Sequence, residues 1–369
     1  MDGWEGSLES VAVNQRFWNG KKVLVTGHTG FKGSWLSLWL QRLGARVVGY
    51  SLASPTQPNL FALANVERGM VSVSGDVRDL DSFSHTLKLY GPEIVIHMAA
   101  QSLVRYSYEN PVETFATNTM GTVNVLEAIR QVKSVRVAIM VTSDKCYENQ
   151  ERTQGYQEHE PMGGHDPYSS SKGCAELATS AYRHAFFFGE GSVAPAVATA
   201  RAGNVIGGGD WAQNRLVPDT MRAFLAKQPV RVRNPNAIRP WQHVLDPLHG
   251  YMVLIEHLWE NGREYAEPWN FGPDERDAKP VSWVVEQLRE LWGQETEWVP
   301  DKGLHPHEAA VLKLDSSKAR KKLGWLPRLT AETSLQWTVE WYKGYEKKHD
   351  MRHVTENQIQ SFQNLSPAR

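Results

Sequence analysis

Short apolar runs rich in β-branched residues recur through the N-terminal half of the chain, at 22–26, 46–50, 70–74, 93–97, 137–142 and 196–200. They are apolar throughout rather than alternating, the pattern of strands buried on both faces of a parallel sheet. Helical spacing fills the gaps. The stretch 34–43 is rich in Trp and Leu and predicts a helix buried against the sheet, and Val112, Phe115, Thr119, Thr122, Leu126 and Ile129 fall on one helical face. Strand and helix in alternation predict an α/β fold with a doubly wound parallel sheet. After Gly203 the regularity fails. Gly207-Gly-Gly-Asp-Trp211, Asn234-Pro-Asn236 and Phe271-Gly-Pro-Asp274 are loop chemistry, and helices return near 247–259, 281–292, 316–323 and 330–345.

Composition narrows the classes without choosing among them. Hydrophobic residues make up 41% and charged residues 22%, the balance of a globular protein, and the formal net charge of −1 gives no footprint for nucleic acid or an anionic membrane. No apolar run is long enough to span a bilayer, and Met1 to Asn14 lacks an apolar core of signal-peptide length. Cys146 and Cys174 stand far apart in no metal-like spacing and read as reduced thiols. A cytoplasmic location is expected, with no membrane or nucleic-acid partner.

The first apolar run breaks into Gly27-His-Thr-Gly30-Phe-Lys-Gly33, directly before the Trp- and Leu-rich helix. In that position one glycine permits a tight turn, the next brings backbone N–H groups to a pyrophosphate, and the third lets the helix pack on the strand. A dinucleotide is the expected ligand, and 15–203 the domain that binds it. Residues 204–350 are expected to form a smaller mixed lobe interleaved with the first, and 351–369 a polar tail that frays.

Tyr168-Ser-Ser-Ser-Lys172 places a phenol and an ammonium four apart on one helix face. A nearby cation favours phenolate, so Lys172 is expected to lower the Tyr168 pKa. Such a tyrosinate takes the proton of a hydroxyl while hydride leaves the same carbon. The pair follows the fifth strand, which ends in Thr142-Ser143-Asp144-Lys145, and ligands gather at that end of strands in open α/β sheets.

Together these segments resemble the extended short-chain dehydrogenase/reductase family, and within it the sugar-nucleotide 4,6-dehydratase branch. The phrases Thr142-Ser-Asp-Lys-Cys-Tyr147, Ala202-Gly-Asn-Val-Ile-Gly-Gly-Gly-Asp-Trp211 and Ile238-Arg-Pro-Trp-Gln-His-Val244 carry the likeness along with the glycine loop. The resemblance implies a Rossmann-like fold and a cofactor held by Gly27, Thr29, Gly30, Phe31, Lys32, Gly33, Asp76, Val77, Ala99, Ala100, Gln101, Asn118, Tyr168 and Lys172. Tyr50-Ser51-Leu52 lacks the acidic residue that grips the adenosine ribose, and no arginine cluster replaces it, so NAD is expected over NADP. His28 and Lys32 put bulk into the loop, an expected cost to cofactor affinity.

By the same resemblance Ser143 hydrogen-bonds the reacting oxygen and Asp144 is the acid at the departing C6 hydroxyl. Lys145 is either the base at C5, if deprotonated, or a cation beside the developing enolate. A 4-epimerase shares the glycine loop and the Tyr168–Lys172 pair but has no use for Asp144 and Lys145, and a dinucleotide sensor would lose the pair. For the substrate, the resemblance implies CDP-glucose, contacted by Ser102, Asn204, Arg215, Arg239 and His307, with Arg105 near the sugar and Trp211 or Trp241 either walling the pyrimidine or packing in the core. His305, His307 and Glu308 also invite a metal, which redox-neutral elimination does not need, and none is expected. A homodimer is implied through a four-helix bundle of 112–131 and 168–187. The implied setting is deoxysugar synthesis for lipopolysaccharide O-antigens.

Overall fold

The computed structural model describes residues 11–188, 194–293, 297–301, 303 and 311–365. The expected strands appear as β1 (Lys22–Thr26), β2 (Arg46–Ser51), β3 (Val71–Ser74), β4 (Ile94–His97), β5 (Val137–Val141) and β6 (Ala196–Arg201), and a seventh, β7 (Pro268–Asn270), joins them. All pairings in this sheet are parallel, in the order β7-β6-β5-β4-β1-β2-β3. The reversal between β1 and β4 is the switch point of a Rossmann-like doubly wound sheet.

The central strands feed two cores, because successive side chains point to opposite faces. Val23, Val25, Ile96, Ile139 and Ala198 face α1 (Phe31–Arg42) and a helix of the second half, while Leu24, Val95, Ala138 and Val197 pack with Phe83, Val125 and Leu126 on the other side. Those three residues belong to α2 (Leu80–Tyr90) and α3 (Gly121–Arg130). The helix behind the first face is α6 (Leu245–Asn261); between lie α4 (Pro167–Tyr182) and α5 (Leu216–Leu225). The chain closes with α7 (Val281–Trp292), α8 (Ala331–Glu346) and α9 (Met351–Gln363).

Two expectations fail for physical reasons. The segment expected to fray is α9, a capped helix: the Asp350 carboxylate accepts from the N–H groups of Arg352 and His353, and Met351, Ile359 and Phe362 are buried. It covers the outer side of α1, with the Phe362 ring edge-on to Trp39 at 5.5 Å, which is why α1 is buried from Gly33 to Leu40 without a polar stripe. The single face drawn from Val112 to Ile129 is also broken. A π-helical stretch, Ala116–Met120, separates a short helix at Pro111–Phe115 from α3. Its wider turn shifts the side-chain register, so Thr122, Leu126 and Ile129 are buried while Val112 is 81% exposed.

Candidate active site

β1 ends at Thr26, whose Oγ1 accepts from the backbone N–H of Met98 (3.0 Å) and Ala99 (3.1 Å), drawing the loop after β4 against the glycine turn. Gly27 sits at φ +75°, and a Cβ on Gly33 would lie 2.1 Å from the Gly27 carbonyl oxygen. Gly30 then caps α1. Strand, turn and helix N-terminus are thus closer than side chains permit, and no side chain caps the helix N-terminus, so the turn leaves a cradle that fits a pyrophosphate. Thr29 bonds Ser51 Oγ (2.9 Å) and the Leu52 carbonyl (2.9 Å) at the tip of β2. Asp76 grips Arg78 at 2.6 to 3.1 Å, and that contact holds its carboxyl below the usual range.

The two bulky residues of the turn leave the cradle. The His28 ring passes beneath Gly49 and meets Ser72 Oγ at 2.7 Å, and burial lowers its pKa to about 4. The Lys32 ammonium donates to Tyr251 Oη on α6 at 2.8 Å; burial, with Lys172 and Arg215 nearby, lowers it to about 7. Their bulk is therefore spent on packing beneath β2 and on the floor of the cleft rather than on the phosphate path.

One cleft of about 1280 Å³ runs along the C-terminal ends of the strands. Within the described residues it is lined by every site residue singled out from the sequence except Asn118. Asn118 is 1% exposed and stands one layer behind: its side chain accepts from Gln101 N (2.8 Å) and donates to Gln101 O (2.9 Å) and Ser171 Oγ (2.9 Å). It pins the Ala99-Ala100-Gln101 loop to α4 instead of lining the cofactor cleft. His305, His307 and Glu308 lie outside the described residues.

At the centre a chain of polar groups runs from Tyr168 to Ser143 to Asp144. The Ser143 hydroxyl hydrogen-bonds Tyr168 and donates to Asp144 Oδ1 at 2.9 Å. Asp144 is 1% exposed, and its other oxygen accepts from Asn204 Nδ2 at 3.3 Å. Asn204 takes φ +48° to reach it, a conformation asparagine tolerates. The expected lowering of Tyr168 by Lys172 is not what prevails here. Burial pushes the phenol up to about 12, opposed by the Ser143 hydrogen bond, while the Lys172 ammonium donates to the Val141 carbonyl (3.3 Å). Burial lowers Lys172 to about 8, with Glu176 opposing. Lys145 follows Asp144 and lines the same cleft, its backbone N–H donating to Ser143 Oγ at 3.3 Å.

Toward the second half, Arg215 bridges Asp210 Oδ2 (2.9 Å) and Ser102 Oγ (2.7 Å), and Arg239 donates to the Ile238 carbonyl (2.9 Å). Trp211 and Trp241 wall the cleft but are 6% exposed each; Trp211 also packs edge-on against Tyr342 and Tyr345. Among the described residues, no cluster of three or more His, Cys, Asp or Glu side chains stands ready for a metal, and no helix is long and apolar enough to cross a membrane. Three buried residues escaped the sequence reading. Glu176 stands four residues beyond Lys172, so extending the Tyr168–Lys172 spacing by one turn finds it. Arg201, its partner, and Tyr251 arrive from distant segments with no local signal.

Comparison with known proteins places this arrangement. The chain is 50% identical over 354 residues to a CDP-glucose 4,6-dehydratase of Salmonella typhimurium, covering 95% of this chain and 98% of that one. It is 28% identical over 340 residues to a dTDP-glucose 4,6-dehydratase of Xanthomonas campestris, covering 86% and 92%. Two solved structures share the fold: a Bacillus anthracis dTDP-glucose 4,6-dehydratase in complex with NAD (TM-score 0.73, 24% identity, covering 90% and 100%) and a Thermotoga maritima UDP-glucose 4-epimerase with UDP-glucose (0.76, 23%, covering 88% and 99%). The profile of the GDP-mannose 4,6 dehydratase family matches residues 24–338, and the chain belongs to that family.

Proposed function

We propose that this protein is an NAD-dependent hydro-lyase that converts CDP-D-glucose to CDP-4-keto-6-deoxy-D-glucose. The observation that carries the reading is the buried Asp144 carboxyl, joined through Ser143 to Tyr168, a group that 4-epimerisation does not use. The likeness to the Salmonella enzyme supports cytidine as the base.

NAD, which the Gly27–Gly33 turn, Asp76 and the Ala99-Ala100-Gln101 loop would hold, would supply the hydride acceptor for C4 and the hydride donor for C6. Tyr168 takes the proton of the C4 hydroxyl, with Ser143 and the Arg215 charge favouring phenolate against burial. The Tyr168–Ser143–Asp144 chain passes that proton to Asp144. Lys145 is assigned to C5, where it takes the proton acidified by the neighbouring ketone. The C6–O bond breaks as Asp144 delivers its proton, so water leaves. Lys145 then returns its proton to C5. The ledger closes: the substrate loses the C4 hydroxyl proton and the C6 hydroxyl as one water, with no net redox change.

Arg215 and Arg239 are assigned to the diphosphate and Asn204 to both Asp144 and the sugar. The protein acts as a homodimer in the cytoplasm, feeding deoxysugar units to surface polysaccharide. Exposed Val112, Phe115 and Met120 on one helical run and Leu177 and Phe186 on the next support pairing through a four-helix bundle.

The test incubates the protein with NAD and CDP-glucose in parallel with dTDP-, UDP- and GDP-glucose. It reads the alkali-induced absorbance of a 4-keto-6-deoxy product and the mass loss of one water. Product from CDP-glucose alone is expected. Epimerisation or simple oxidation without water loss sinks the dehydratase reading.

A further inference from the structure

The Ser143-Asp144-Lys145 turn is tethered on both flanks to one buried ion pair. Glu176, one helical turn beyond Lys172 on α4, receives both Arg201 Nε (2.9 Å) and Arg201 Nη2 (2.8 Å) from the end of β6. The side chains of this pair are 2% and 3% exposed. Before the turn, Thr142 Oγ1 donates to Glu176 Oε1 at 2.5 Å. After it, Tyr147 Oη accepts from Arg201 Nη1 at 2.6 Å and donates to Asn270 Oδ1 at 2.7 Å. Thr199 fills the remaining Glu176 position at 2.7 Å. A bidentate pair of this kind has one geometry, so it fixes α4 and both ends of the turn in a single frame. The Tyr147 ring is held again by stacking on Tyr156 at 5.2 Å and by the Arg201 guanidinium 4.8 Å from its centroid.

We propose that Glu176 and Arg201 are positioning residues that lock the Asp144–Lys145 turn to the Tyr168–Lys172 helix, coupling elimination to oxidation. The inference rests on the dehydratase reading. Oxidation at C4 needs the helix, the cofactor and Ser143 at the head of the turn, which Tyr168 also holds. Elimination needs the turn held at C5 and C6 at the same moment, with hydride still waiting to return. A loosened turn therefore lets oxidation proceed and stalls the step after it.

Removing Glu176 itself leaves Arg201 buried without a counter-charge and tests folding as much as chemistry. Two gentler changes cut the tethers while keeping the pair: Tyr147→Phe and Thr142→Val. For each, 4-keto-6-deoxy product formation is expected to fall about tenfold, and about a hundredfold in the double variant, since small misplacements cost that much at a reacting centre. KM for CDP-glucose stays within about twofold, because neither residue is among those assigned to the substrate. The distinguishing sign is reduced nicotinamide, seen by its near-ultraviolet absorbance, accumulating in the variants during turnover. Amide hydrogen exchange gives a readout independent of the reaction: protection of residues 143–146 drops in both variants while α4 stays protected. Unchanged exchange in the turn overturns the tether whatever the enzyme catalyses. Parallel loss of oxidation and elimination, with no reduced nicotinamide, overturns the coupling and leaves a plain core ion pair. A wild-type protein that loses no water from CDP-glucose overturns the functional reading instead, and the exchange data still decide the tether.

Discussion

Asp144 has its carboxylate where it is because residue 203 has no side chain. A Cβ on Gly203 would lie 1.8 Å from Asp144 Oδ2 and 2.0 Å from its carboxyl carbon. The carboxylate cannot retreat freely, since Ser143 holds one oxygen and Asn204 the other. Gly203→Ala is therefore expected to displace the acid rather than unfold the protein. Overpacking of this kind costs about 1–3 kcal/mol of stability, while product formation drops about a hundredfold with KM little changed. Steady-state kinetics with CDP-glucose, beside a thermal melt, check this; wild-type kcat in a folded variant would show that Asp144 is not the acid. In the sequence Gly203 marks only the end of the regular pattern and a place in the Ala202–Trp211 phrase. Its necessity is a contact with a residue 59 positions earlier, which spacing does not display. Tyr168 and Lys172 were legible for the opposite reason: one helix carries both, and four residues is one turn. The phenol's rise to about 12 was not legible, because it comes from burial in the assembled cleft.

Among the elements, legibility followed how far each one's burial is uniform. β5 is buried at every position, so its apolar run was unmistakable. β7 is three residues long, begins with Pro268 and sits at the sheet edge, where no periodicity can form. The π-helical stretch at Ala116–Met120 defeated a reading based on 3.6 residues per turn. α9 was hidden by its polarity, since Thr355 and Gln358 are buried yet hydrogen-bonded: Thr355 Oγ1 accepts from Trp341 Nε1 at 3.0 Å, and Gln358 Nε2 donates to the Trp337 carbonyl at 2.8 Å, while Gln358 Oε1 has no partner among the described residues. Its few apolar contacts then matter more. Phe362 meets Trp39, and the Arg328 guanidinium sits 5.3 Å from its ring centroid. Phe362→Ala is expected to cost about 3–5 kcal/mol, read as a lower urea midpoint with an unchanged slope. A midpoint equal to wild type would mean that α9 does not contribute to the core as placed.

At the scale of the whole molecule, α6 is where distant segments are fastened, and its fastening is pH-dependent. Asp246 Oδ1 accepts from Arg328 N at 2.7 Å, tying the approach to α8, while Glu256 Oε1 accepts from Trp18 Nε1 at 2.6 Å and from Asn14 N at 3.0 Å, tying the segment before β1. Burial raises Asp246 from 3.8 and Glu256 from 4.5, each to about 7. Between its ordinary value and 7 each group binds a proton when folded and none when unfolded. The folded state then holds more protons, so stability falls as pH rises through that window. For Asp246, wholly buried with no hydrogen-bond partner on Oδ2 among the described residues, the effect is on the order of 4 kcal/mol. Other carboxyls act in the opposite sense. Glu127, bonded by Arg130, is lowered to about 2, and groups like it make stability rise as pH leaves the acid range. The net curve mixes both, so the informative quantity is a difference. Asp246→Asn keeps an acceptor for the Arg328 N–H and removes the titration. Urea unfolding of wild type and variant at several pH values should show the variant gaining relative stability steadily from about pH 4 to 7, and flat outside it. A difference that does not change with pH would show that Asp246 titrates normally, and that α6 fastens the two halves without cost at neutral pH.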